Sequence, residues 1–98
     1  MILLRVSPEN PADLVMKIML EAAQQHPKVL ADPFPAVIFK DFGPTYAEYR
    51  LTFWLDDVSD RLSVSSELRS IIKARFAEEE IELLPQAAIL AGSLESDS

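Results

Sequence analysis

One histidine, a set of serines, an Asp-Phe-Gly triplet and two acidic clusters are the residues of this chain that could do chemistry. His26 is the only imidazole. A general base needs a partner within hydrogen-bond reach, and a metal site needs several nitrogen or carboxylate ligands. His26 stands beside Pro27 at a predicted helix end, where an imidazole can meet the last carbonyls, so a structural role is expected. Ser59, Ser63, Ser65 and Ser66 are numerous, but no Gly-x-Ser-x-Gly elbow holds any of them. Asp41-Phe42-Gly43 spells a triplet known from protein kinases, yet the Gly-rich and catalytic loops are absent, and it reads as a turn. Two glycines in all leave no phosphate-cradling loop.

Asp56, Asp57 and Asp60 have two readings. They could form a cation site, though the Gly and terminal Glu of a calcium loop are missing. They could equally cap a following helix and favour its N-terminal dipole. Glu78, Glu79, Glu80 and Glu82 make a dense acidic patch, either a solvated face or a charged lining, at an electrostatically unfavourable helix C-terminus. Trp54 is either an ordinary surface aromatic or an anchor for a partner. No catalytic residue, metal-ligand set or cofactor follows from these residues.

Composition narrows the classes further. The 98 residues carry 9 Lys plus Arg against 16 Asp plus Glu, a net charge of −7. Counterion release needs clustered cations, so nucleic acid is not an expected partner, and neither is an anionic membrane surface. With no Cys there are no disulfides, thiolate zinc sites or Cys nucleophiles. The length fits one domain with a modest core. No apolar stretch reaches the roughly 18–20 residues of a membrane span, and Met1–Arg5 is too short for a signal peptide. Taken by itself the polypeptide is expected to be soluble.

The elements that must position these residues follow from periodicity. Ile2 to Val6 is a short apolar run, read as a strand. Asn10-Pro11-Ala12-Asp13 is a helix start, with Asn as cap, Pro in the first turn and Asp near the positive end. Leu14, Val15, Ile18, Met19, Ala22 and Ala23 then recur at three and four, up to about Gln25. Pro27 ends that helix at His26. Val29 to Pro35 is stiff and extended, and Ala36 to Phe39 reads as a strand. Residues 41–45 reverse the chain. Tyr49, Leu51, Phe53 and Leu55 alternate with Arg50, Thr52 and Trp54, the clearest strand in the sequence. Leu62, Val64, Leu68, Ile71, Ile72, Arg75 and Phe76 trace a second helix ending near Glu79. Ile81 to Leu83 reads as a last short strand.

The order is β-α-β-β-α-β, an α+β chain that predicts a ferredoxin-like two-layer sandwich with a further short C-terminal strand. Residues 1–86 form the domain, 87–91 the extra strand and 92–98 an acidic, disordered tail. Both helices cover one sheet face, against Tyr49, Leu51, Phe53 and Leu55. The other face shows Arg50, Thr52 and Trp54, the candidate partner surface.

Several segments then fall into a known order. Glu21-Ala22-Ala23 precedes His26-Pro27, and Asp32-Pro33-Phe34-Pro35 enters a strand. Phe42-Gly43 makes the turn, and Arg50-Leu51-Thr52-Phe53-Trp54-Leu55 follows. Ser66-Glu67-Leu68-Arg69 and Ile81-Glu82-Leu83-Leu84-Pro85-Gln86 complete the set. In this order they resemble the C-terminal cytoplasmic α/β domain of the small-conductance mechanosensitive (MscS-type) ion channel family, over roughly residues 12–86. The chain departs from that pattern at Pro44-Thr45-Tyr46, at Glu80 where the family has Gly, and at Leu84 where it has Pro.

The resemblance implies a ferredoxin-like cage domain of a heptameric channel that opens under membrane tension and releases ions and osmolytes. It implies a place on the cytoplasmic face of the bacterial inner membrane, with contact to the membrane only through parent segments outside this chain. Glu78, Glu79, Glu80 and Glu82 would then line the vestibule. Cut from its parent, the domain is expected to be a non-catalytic assembly module, monomeric or weakly associated. The alternative is a ferredoxin-like regulatory domain that binds a small ligand.

Overall fold

A computed structural model describes residues 1–84 of the chain. The expected strand at 87–91 and tail at 92–98 lie outside the described residues. Alternation builds the first element: β1 (Ile2–Val6) buries Ile2, Leu4 and Val6 and turns Leu3 and Arg5 to the other face. Helix α1 (Ala12–Gln25) buries Val15, Ile18, Met19, Ala22 and Ala23 along one stripe. Pro11 rather than Asn10 occupies its N-cap, and no side chain caps it. Asn10 instead donates its amide back to the Ser7 carbonyl at 3.0 Å, closing the preceding turn. Asp13 does sit in the first turn.

Strand β2 (Ala36–Phe42) runs three residues past the expected end, so the reversal is confined to Gly43–Tyr46. Gly43 N–H donates to the Tyr46 carbonyl at 2.8 Å. A Cβ on Gly43 would stand 2.7 Å from the Tyr46 ring, so the close ring approach needs glycine there. A register shift between Phe39 and Asp41 marks a bulge. Phe39 then faces Tyr49 and Phe42 faces Ala47, which puts both phenylalanines on the same side of the sheet.

Strand β3 (Ala47–Thr52) pairs with β1 on one edge and β2 on the other, antiparallel in both cases. The sheet order is β1-β3-β2. Helix α2 (Arg61–Glu78) lies beside α1 and buries Val64, Leu68, Ile72 and Phe76, an unbroken i, i+4 row. Leu62 and Ile71 do not belong to that row. They are 84% and 40% exposed, because each falls on the outer side of the helix when the row sets its inner face. Both helices cover one sheet face, over a core that includes Tyr49, Leu51 and Phe53.

The segment after α2 lies against the free edge of β1. Val6 and Leu83 form an antiparallel bridge, and Leu84 N–H donates to the Arg5 carbonyl at 2.8 Å. The neighbour order of a ferredoxin-like sandwich results, and the α+β architecture is the one expected. The expected strand Ile81–Leu83 is only a bridge within the described residues. Ile81 N–H still bonds the Phe76 carbonyl at 2.8 Å and its side chain is 4% exposed, so it completes the helix end rather than pairing with β1.

Glu80 makes that helix end possible at a cost. Its φ is +60°, in the left-handed region, while its N–H reaches the Ala77 carbonyl at 3.1 Å. A side chain is disfavoured in that conformation by roughly 1–2 kcal/mol. Glycine meets the same requirement without the clash. The Glu80→Gly substitution is expected to stabilise the domain by about 0.5–1 kcal/mol, raising Tm by roughly 3–6 °C, whereas Glu80→Gln, which removes only charge, changes it little. Calorimetry on the three chains checks this, and equal gains from both substitutions would assign the effect to charge.

Candidate functional site

His26 fastens one helix to the other. Pro27 forces extended geometry on it (φ −77°, ψ 127°), which stops α1 and leaves the ring 7% exposed. Its backbone N–H, not its ring, meets the Ala23 carbonyl, at 3.2 Å. Nδ1 lies 3.1 Å from the Lys28 amide. A backbone N–H can only donate, so Nδ1 accepts and the ring hydrogen sits on Nε2. Nε2 donates to Glu67 Oε1 of α2 at 2.6 Å. Both ring nitrogens are occupied in the neutral form, so although His26 borders a cavity of about 540 Å³ with Lys28, Ser66, Glu67 and Ser70, it offers that cavity no free nitrogen.

The aspartate cluster is a turn. Asp57 Oδ1 accepts from Ser59 N–H at 2.9 Å and from the Ser59 hydroxyl at 2.8 Å. These two bonds, with a smaller contribution from Lys28, hold the Asp57 carboxyl below its ordinary range. They cap the 3-10 turn Val58–Asp60 that precedes α2. Asp60 takes the N-cap position without a side-chain cap bond, and pairs with Lys28 Nζ at 3.4 Å. Among the described residues no group of three histidine or acidic side chains is placed to hold a metal ion.

The open sheet face carries Arg50 and Thr52, as alternation requires. Arg50 faces Leu3 on β1 and Ile38 on β2, and Thr52 faces Ala36. Arg50 Nε is buried without a hydrogen-bond partner among the described residues. Trp54 lies beyond the end of β3, 41% exposed, and its carbonyl accepts from Leu30 N–H at 2.9 Å. It borders a cavity of about 170 Å³ with Met1, Phe53, Leu55, Val58 and Arg61. Trp54 therefore belongs to the rim at the sheet end, and Arg50 and Thr52 to the sheet surface itself.

A polar network on that face was not expected from the sequence. Arg5 Nη2 and Nε approach Glu48 Oε1 at 3.3 and 3.4 Å, and Glu48 is 8% exposed. The Arg5 guanidinium also lies 4.5 Å from the centre of the Tyr46 ring. Tyr46 Oη donates to Asp41 Oδ2 at 3.2 Å, and that bond, then the aspartate charge, pushes the phenol above its usual range. The alternation of β1 and β3 would have put Arg5 and Glu48 on one face. Only the register makes them neighbours.

Three exposed surfaces remain. Glu78, Glu79, Glu80 and Glu82 are exposed together around the C-terminal end of α2. The bare edge strand β2 shows Ile38, Phe39 and Phe42, with the two rings 5.8 Å apart and Phe39 stacked on Tyr49 at 4.9 Å. A groove of about 630 Å³ follows the outer side of α2, past Arg61, Leu62, Ser65, Ser66, Arg69 and Lys73. The spacing of Arg61, Arg69 and Lys73 in multiples of four could have revealed that cationic stripe from sequence. No described helix is long and apolar enough to cross a membrane.

Comparison with known proteins gives a consistent result. The family model "Mechanosensitive ion channel MscS, C-terminal" matches residues 6–83. An uncharacterized MscS family protein of Haemophilus influenzae is 34% identical over 70 residues, covering 71% of this chain and 6% of that protein. The mechanosensitive channel MscK of Escherichia coli is 33% identical over 58 residues, 59% of this chain and 5% of its own length. The chain thus spans about a twentieth of the curated relatives it matches.

The His26 clasp gives a stability test. His26→Ala strands the Lys28 amide and removes the tie to Glu67, and is expected to cost about 1–3 kcal/mol in urea unfolding. Glu67→Gln keeps an acceptor for Nε2 and should cost little. A larger loss from Glu67→Gln would mean that the carboxylate charge, not the bond, holds the helices.

Proposed function

The chain belongs to the mechanosensitive ion channel MscS family, and on that premise we propose that it is a panel of the cytoplasmic vestibule in such a channel. The observation that carries this reading is the family match across residues 6–83, nearly the whole described fold. Channels of this family are oligomeric. In the proposed assembly seven copies stand side by side below the bacterial inner membrane, and ions and osmolytes released under bilayer tension pass between them. Membrane-spanning segments would come from parts of the parent outside this chain. The panel itself does no chemistry. His26 and Asp57, the groups best suited to chemistry, are engaged in turns and helix contacts. No observation favours the small-ligand reading over this one.

Charge gives the panel a further role. Each copy carries −7, and the four glutamates at the end of α2 are all exposed. Arranged in a ring, they would sum to a negative potential that favours cations over anions entering the vestibule.

Two experiments test the proposal. Residues 6–83, placed in the Escherichia coli relative in exchange for its matching segment, are expected to preserve tension-gated current in membrane patches. Loss of current from a protein that still inserts and assembles would overturn the panel reading. In the same hybrid, changing Glu78, Glu79, Glu80 and Glu82 to Gln should shift permeability toward anions, most at low salt. An unchanged permeability ratio would reject the role of these four residues.

A further inference from the structure

We infer that the cationic groove on the outer side of α2 is a docking surface for the acidic α2 end of a second copy of this chain. The groove is unusual in a chain of net charge −7. Arg61, Arg69 and Lys73 are exposed on one helix side and make no ion pair among the described residues. The other cations in long-range pairs, Arg5, Lys28 and Arg75, are matched to Glu48, Asp60 and Glu21. The positive charge is therefore concentrated and unanswered among the described residues.

Its complement is on the same helix, within about 8 Å of Lys73 along the axis but far from the other two cations. At 1.5 Å per residue, Arg69 and Arg61 stand about 14 and 26 Å along the axis from Glu78. An α-helix is stiff, so the acidic end cannot fold back over the groove. A second copy can bring the opposite charges together. Leu62, 84% exposed in the groove wall, and the small serines beside it supply an apolar contact and room for an incoming helix end. The contact joins two different patches, one from each copy. Such heterologous contacts propagate from copy to copy and close into rings when the rotation permits. The inference rests on the vestibule reading only in that copies stand side by side, and self-contact can be measured without any channel.

The test uses the 98-residue chain, labelled for amide NMR, from tens of micromolar to millimolar at low and high salt. Concentration-dependent shifts are expected at residues 61–73 and 78–82 and are suppressed by salt. Arg69→Glu with Lys73→Glu, and separately Glu79→Lys with Glu82→Lys, should each weaken association at least about tenfold, since each sets like charges against each other. Mixing the two variants should restore it to within about threefold, because every groove then meets an end of opposite sign. All substituted positions are exposed, and amide dispersion reports whether each variant is folded. Shifts confined to the β2 edge, variants that associate like the parent, or a mixture that stays dissociated would each overturn the inference. Saturation of the groove by inorganic phosphate without any self-association would also overturn it and make the groove an anion site. Failure here leaves the hybrid channel experiment unaffected, so the two readings fail separately.

Discussion

The strand β3 is bonded along both edges, and its two side-chain faces answer to opposite surroundings. Ala47, Tyr49 and Leu51 point toward the helices and are almost completely buried. Glu48, Arg50 and Thr52 point the other way and must be satisfied without a covering layer. A slip of one residue would exchange the two sets, placing Glu48 and Arg50 under α1 and α2. The pairs Arg5 to Glu48 and Leu4 to Tyr49 both enforce the same register, one by charge and one by packing. The rest of the molecule depends on that agreement, because both helices are laid against the face it defines.

How far the sequence displays this depends on the range of the interaction. Periodicity in β1, α1 and β3 is local, and β1 and α1 stand where the pattern puts them, whereas β3 begins at Ala47 and stops at Thr52 although the alternation runs from Tyr49 to Leu55. The ends are less legible. Asn10 has the right chemistry for a cap and lies in the right place, but Ser7 offers its amide a nearer acceptor. Leu62 has a core residue's side chain and lies outside the core, since only the row through Val64, Leu68, Ile72 and Phe76 meets α1 and the sheet. The strand at Ile81 reads correctly by composition, yet the helix-end bond to Phe76 claims its N–H first.

The functional surfaces divide in the same way. The acidic end of α2 is a run in the sequence and needs no fold to be seen. Arg50 and Thr52 follow from alternation. Trp54 does not stay with them, because β3 stops at Thr52 and the chain bends toward Leu30. The ties from Arg5 to Glu48 and to the Tyr46 ring join segments about 40 residues apart and exist only once the sheet has formed. The His26 clasp is of this kind too. Glu67 is 41 positions away, and nothing local announces it.

The bulge at Lys40 has a consequence beyond geometry. It turns Phe39 and Phe42 to the same side and kinks the sheet edge that is unpaired among the described residues, with a lysine at the kink. A kinked border that carries Lys40 and Asp41 is a poor template for endless strand-upon-strand growth. The aromatic flank can still be capped once by a neighbour of matching shape. That margin resists open-ended strand addition while leaving the aromatic flank accessible.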